Sequence, residues 1–153
     1  MYKPRVIEKT MQEYLNTFKV IALVGPKFCG KTTLAEQFTK SSIFLNPLNK
    51  NDYKTMLQLA QQDFLAGPYP KLIDEWQLIP EVWDVIRHYV DRAAGRGLFI
   101  LTGSSAANFT DTAHSGAGRI VRVMLRPMNM PYGSLKAGGP NQLTTVSNSQ
   151  FAE

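Results

Sequence analysis

The chain has 153 residues, 44% hydrophobic and 19% charged, with a net charge of +5. This length and composition give one domain with its own core and exclude a disordered chain. No apolar run approaches the roughly 20 residues of a membrane span, and no signal-peptide core follows the basic start. The single cysteine excludes an internal disulfide and suits a reducing cytoplasm.

Pro4 to Phe18 reads as an amphipathic helix, with Ile7, Met11, Tyr14, Leu15 and Phe18 at helical spacing. Val20 to Val24 is a short unbroken apolar run, the pattern of a strand buried on both faces. Gly25-Pro26-Lys27-Phe28-Cys29-Gly30-Lys31-Thr32 follows and fits G-x-x-x-x-G-K-[ST]. Thr33 to Phe38 then opens a helix.

The chemistry needs this order of parts. A loop that runs from a strand into a helix aims several backbone N–H groups at one spot, where a polyphosphate accepts them. Gly25 and Gly30 can take positive φ and let backbone approach the phosphates closely. Lys31 reaches the terminal phosphates as a point charge, and the Thr32 hydroxyl is placed to ligate Mg²⁺. The binding set is Gly25, Pro26, Lys27, Cys29, Gly30, Lys31, Thr32 and Thr33. Cys29 reads as a packed small side chain rather than a reactive thiol.

Ser41-Ser42 break the helical pattern, Ile43-Phe44-Leu45 is a short strand, and Asn46 to Asn49 a turn. Asn51 or Asp52 is placed to cap a helix from Tyr53 to Leu65. Leu72-Ile73 then ends in two adjacent acids, Asp74-Glu75. An Asp at such a strand end holds the Mg²⁺ water shell, and a following Glu polarises the attacking water. Lys71 interrupts the apolar run expected there, so an exposed acidic loop is the plain alternative.

Pro80 to Ala94 is a helix with a broad apolar face and proline in its first turn. Leu98 to Ser105 is a further buried strand ending in hydroxyl residues. Strands that alternate with helices predict a parallel α/β sheet, with ligands at the strands' carboxyl ends. Thr102 and Ser104 then lie beside the phosphate loop, either on nucleotide or as turn caps. Ala106 to Gly118 is a polar loop, and Arg119 to Arg126 alternates as a last strand. Arg119 either completes a nucleotide site, in this chain or a neighbour, or sits in a surface ion pair. The scattered Lys and Arg residues read as a solvated basic surface, with nucleic-acid contact as the other reading. The Pro- and Gly-rich stretch 127–153 carries no periodic segment.

Five segments occur in a telling order: G-P-K-F-C-G-K-T-T at 25–33, L-I-D-E-W-Q at 72–77, F-I-L-T-G-S at 99–104, H-S-G-A-G-R-I at 114–120 and L-R-P-M at 125–128. Together they resemble the prokaryotic AAA-type ATPases that carry a C-terminal domain of unknown function. The resemblance implies a three-layer α/β/α phosphate-loop fold with a mainly parallel sheet of about five strands. It implies ATP and Mg²⁺ as ligands. It matches Lys31 and Thr32 to phosphate and metal, Asp74 to metal, Glu75 to water activation and Thr102 to a sensor. Arg119 falls on the family's G-R-I arginine. Relatives of this kind are longer and often self-associate, so that one subunit completes its neighbour's site. An ATPase core over 1–126, with its N-terminal helix in 1–18, is then followed by a tail or truncated linker over 127–153. The function expected is Mg-dependent ATP hydrolysis by an activated water. The alternative is a nucleotide-binding switch, or a module for a protein partner, with negligible turnover.

Overall fold

The computed structural model describes residues 6–104 and 118–127. Its five strands are β1 (Val20–Gly25), β2 (Ser41–Phe44), β3 (Lys71–Asp74), β4 (Phe99–Ser104) and β5 (Ile120–Met124). They form one sheet in the order β2-β3-β4-β1-β5, every pair parallel. The helices are α1 (Ile7–Thr17), α2 (Lys31–Glu36), α3 (Lys50–Leu59), α4 (Gln61–Leu65) and α5 (Glu81–Arg92), with a 3-10 turn at Trp76–Leu78.

The unbroken apolar run of β1 has a physical cause. The strand lies between β4 and β5, with Val20 opposite both Phe99 and Ile120, and both of its faces are covered. Val20, Ala22 and Val24 join an apolar cluster with Leu57 of α3, Phe64 of α4 and Ile86 of α5. Ile21 and Leu23 join the other, with Met11 of α1 and Leu34 of α2. The sheet is thus the middle of three layers, α/β/α, as the family resemblance implies. Each large side chain buried this way contributes about 1.5–3 kcal/mol.

Three local readings are corrected. The helix expected over Tyr53–Leu65 is two helices, broken at Ala60 (φ −138°, ψ 54°). The break leaves Leu59 83% exposed, while Phe64 and Leu65 are buried against the sheet. Asn51 and Asp52 lie inside α3; the residue before its first turn is Asn49, whose side chain makes no capping bond. Here the Asn46 side chain accepts from the N–H groups of Leu48 and Asn49, and this turn sets the start of the helix. Finally, β2 begins at Ser41, because an edge strand needs only one apolar face and Ser42 is exposed. The segment His114-Ser115-Gly116 and the tail from 128 onward lie outside the described residues.

Candidate functional site

Parallel strands put all their carboxyl ends on one edge, and β1, β3 and β4 end there in Gly25, Asp74 and Ser104. Gly25 stands in register with Ser104. From this edge the 25–30 loop runs into α2, whose first residues are Lys31 and Thr32.

The two glycines of the loop do different work, and only Gly30 uses the positive φ open to both. Gly30 is left-handed (φ 87°) and turns the chain into α2. Gly25 is not among the positive-φ residues; a Cβ there would lie 2.3 Å from the carbonyl oxygen of Leu125. Its requirement is close passage beside the end of β5. The second left-handed residue is Phe28 (φ 62°), fully exposed at the loop tip beside the exposed Pro26 and Lys27. Cys29 is buried, packed among apolar side chains. Thr33 is exposed one residue into α2 beyond Thr32.

Lys31 is buried, and its ammonium donates to the carbonyl oxygens of Gly25 (3.0 Å) and Pro26 (2.8 Å). It is therefore held over the loop by two neutral acceptors. Thr32 donates from its hydroxyl to Asp74 Oδ1 at 2.6 Å, and Thr102 donates to the same oxygen at 2.5 Å. The alternation of β3 explains the meeting. Leu72 lies in the cluster on the α2 side, so Asp74, two residues on, faces α2 as well. On β4, Ile100 belongs to the same cluster, which puts Thr102 on that side too.

Glu75 leaves the strand. Its backbone is left-handed (φ 57°, ψ 44°), and it opens the 3-10 turn Trp76–Leu78. Its N–H donates to Thr102 Oγ1 at 3.1 Å, and its carboxylate accepts from the Gln77 side-chain amide. The Thr102 hydroxyl thus links both acids, donating to one and accepting from the backbone of the other. Lys31, Thr32, Asp74, Glu75 and Thr102 gather at one edge.

Arg119 does not join them. It precedes β5, and its carbonyl accepts from the N–H groups of Lys19 and Val20 at the amino edge of the sheet. Its guanidinium pairs with Asp91 of α5, both side chains being substantially exposed. Of the two readings of Arg119, the surface ion pair is the one seen in the chain itself. Sequence reasoning assigned no role to Gln77, although it lies in the D-E-W-Q segment. Its contact with Glu75 depends on a left-handed turn that no spacing rule reveals.

The oxygen set of Thr32 and Asp74 suits a hard cation that keeps several waters and shares phosphate oxygens, as Mg²⁺ does. The described residues hold no cluster of three or more His, Cys, Asp or Glu that would cage a metal by protein alone. No described helix is long and apolar enough to cross a membrane.

A family model described as AAA domain matches residues 17–131, which takes in every strand and the whole phosphate loop. Two curated relatives are the uncharacterized proteins Rv2008c of Mycobacterium tuberculosis and Mb2031c of Mycobacterium bovis. Each is 30% identical over 159 aligned residues, covering 93% of this chain and 34% of the relative. The chain spans about a third of the length of these relatives. The matched span, the parallel sheet and the loop before α2 lead to one statement: the chain belongs to the AAA domain family of nucleotide-binding, ATPase-like domains.

Proposed function

We propose that this domain binds ATP with Mg²⁺ and hydrolyses it. The observation that carries the reading is Asp74 Oδ1, which accepts from Thr32 of the phosphate loop and Thr102 of β4. One carboxylate oxygen thereby ties the first turn of α2 to β3 and β4, the parts a phosphate-loop hydrolase needs together.

In this reading the N–H groups of the 25–33 loop and the Lys31 ammonium bind the β- and γ-phosphates. Lys31 exchanges two neutral carbonyl acceptors for anionic ones, which are stronger partners. Thr32 and Asp74 would hold Mg²⁺, which when bound offsets the charge developing on the phosphate oxygens. Glu75 takes a proton from water as the water oxygen bonds to the γ-phosphorus. The bond from that phosphorus to the bridging oxygen breaks, and ADP leaves with the electron pair. Thr102 fixes both acids through its hydroxyl.

Arg119 enters the proposal only through a neighbouring copy. It lies at the opposite edge of the sheet, so its contact with nucleotide requires self-association. The proposal also takes 1–126 as the ATPase core. The part of the relatives' length that this chain does not cover leaves room for the C-terminal domain that the resemblance implies.

The test is phosphate release from ATP and Mg²⁺ by the wild-type chain and by Glu75→Gln, with calorimetry of nucleotide binding on both. Loss of a general base lowers turnover by roughly 10²–10⁴-fold while binding persists. Equal release from both proteins, with binding intact, rejects hydrolysis and favours the switch. A flat calorimetric trace rejects the nucleotide site.

A further inference from the structure

We propose that Gln77 is a positioning residue for Glu75, holding one carboxylate oxygen so that the other faces the attacking water. This rests on the reading of Glu75 as the base, and names a residue that acts through it.

Glu75 is held at both ends. Its backbone N–H is bonded to Thr102 Oγ1, and its Oε2 accepts from Gln77 Nε2. A left-handed glutamate is uncommon, and such a conformation persists only where its surroundings over-determine it. The 3-10 turn does so here. The N–H of Leu78 bonds the Glu75 carbonyl at 3.0 Å, and the N–H of Ile79 bonds the Trp76 carbonyl at 3.0 Å. The turn is what brings Gln77 back over the residue two before it.

The other end of the amide is confined by packing, not by a hydrogen bond: Gln77 Oε1 has no partner among the described residues. Gln77 Oε1 is buried against β4, where a Cβ added at Gly103 would lie 3.0 Å from it and 2.9 Å from Trp76 Nε1. Gly103 directly follows Thr102, so one dipeptide of β4 serves both ends of Glu75: the threonine by a hydrogen bond, the glycine by leaving room. Trp76 lies against the same glycine, buried, with its ring tilted at 39° to that of Trp83 of α5 and the centroids 5.2 Å apart. Gln77 bonds no residue of the 25–33 loop, so its work is separable from nucleotide binding.

The experiment measures steady-state ATP hydrolysis by the full chain with Mg²⁺, for wild type, Gln77→Ala, Gln77→Glu, Glu75→Gln and the double variant Glu75→Gln with Gln77→Ala. Gln77→Ala is expected to lower kcat roughly 10- to 100-fold with KM within about twofold of wild type, the effect of a misplaced group. Gln77→Glu keeps the shape but replaces the donor by an acceptor, and is expected to lose at least as much. The double variant should be no slower than Glu75→Gln alone. Wild-type kcat in Gln77→Ala or in Gln77→Glu overturns the proposal. So does a loss that appears equally on the Glu75→Gln background, or one seen in KM, because either marks a general structural role. A wild type no faster than Glu75→Gln defeats the hydrolysis reading itself. A Glu75-dependent wild type beside an unaffected Gln77→Ala or Gln77→Glu defeats only this inference.

Discussion

The two edges of the sheet use the same residue in the same way, to different ends. At the carboxyl edge, Lys31 donates to the carbonyls of Gly25 and Pro26. At the amino edge, Lys71 donates to the carbonyls of Phe64 (2.7 Å) and Ala66 (2.8 Å), and Lys19 to those of Val90 (2.7 Å) and Ala93 (2.6 Å). All three ammonium groups bridge two backbone oxygens. The difference lies in what those oxygens belong to. Lys71 and Lys19 satisfy the last carbonyls of α4 and α5, which have no partner within their helices. Lys31 rests on a loop, where phosphate is a stronger competitor. A hydrogen-bond pattern alone therefore does not separate a structural lysine from the binding one proposed here; the edge of the parallel sheet is what distinguishes their positions.

That contrast breaks cleanly if the edges are mutated one at a time. The largest effect is expected for Lys31→Ala. In the proposed reading, removing a charge that faces phosphate costs about 2–5 kcal/mol of affinity, roughly 30-fold to several thousand-fold in Kd for Mg-ATP by calorimetry. The denaturant midpoint should fall by less than the affinity does: the Pro26 carbonyl borders exposed chain and can turn to water, although that of Gly25 is buried and loses its side-chain donor. A large loss of stability with affinity unchanged would place Lys31 among the structural lysines.

Lys71→Met should show the opposite pattern. It keeps the volume but leaves the carbonyls of Phe64 and Ala66 unsatisfied, at about 1–3 kcal/mol. Urea unfolding should register that loss, while Mg-ATP affinity stays at the wild-type value. A pH signature sharpens it. Burial holds the Lys71 ammonium below its usual pKa of 10.5. The unfolded chain therefore binds more protons in the window between the lowered folded value and 10.5, and stability rises with pH there. Wild type should gain stability relative to Lys71→Met as pH climbs through that window. Parallel curves would show that the group is not desolvated.

The phosphate loop was legible because its residues are contiguous and their spacing is strict; so was the strand ending in Asp74. The meeting of Thr32, Asp74 and Thr102 follows from strand alternation once the sheet is parallel. Lys71 was harder. Pattern reading counts a lysine against a buried strand, yet its stem packs inward and its ammonium ends on two carbonyls. Gln77 was illegible because its contact needs the left-handed turn at Glu75. Arg119 could have been placed. The residue that opens a strand in a parallel sheet stands at the amino edge, away from ligands at the carboxyl ends, and Arg119 is such a residue.

The smallest effect expected is for Lys19→Ala, and it tests whether both amino-edge lysines act alike. Lys19 is half-buried and caps α5, which already closes its last turn with the Ala93 N–H on the Tyr89 carbonyl. The loss should be about 0.3–1 kcal/mol, the range for a cation at a helix carboxyl end. It should shrink in added salt more than that of Lys71→Met, since water and ions reach the site. Nucleotide affinity should not move. If Lys19→Ala instead weakened Mg-ATP binding, the amino edge would be coupled to the site through β1, which runs from Lys19's neighbour Val20 directly into Gly25. The division between a structural and a binding edge would then give way to a single strand that transmits between them.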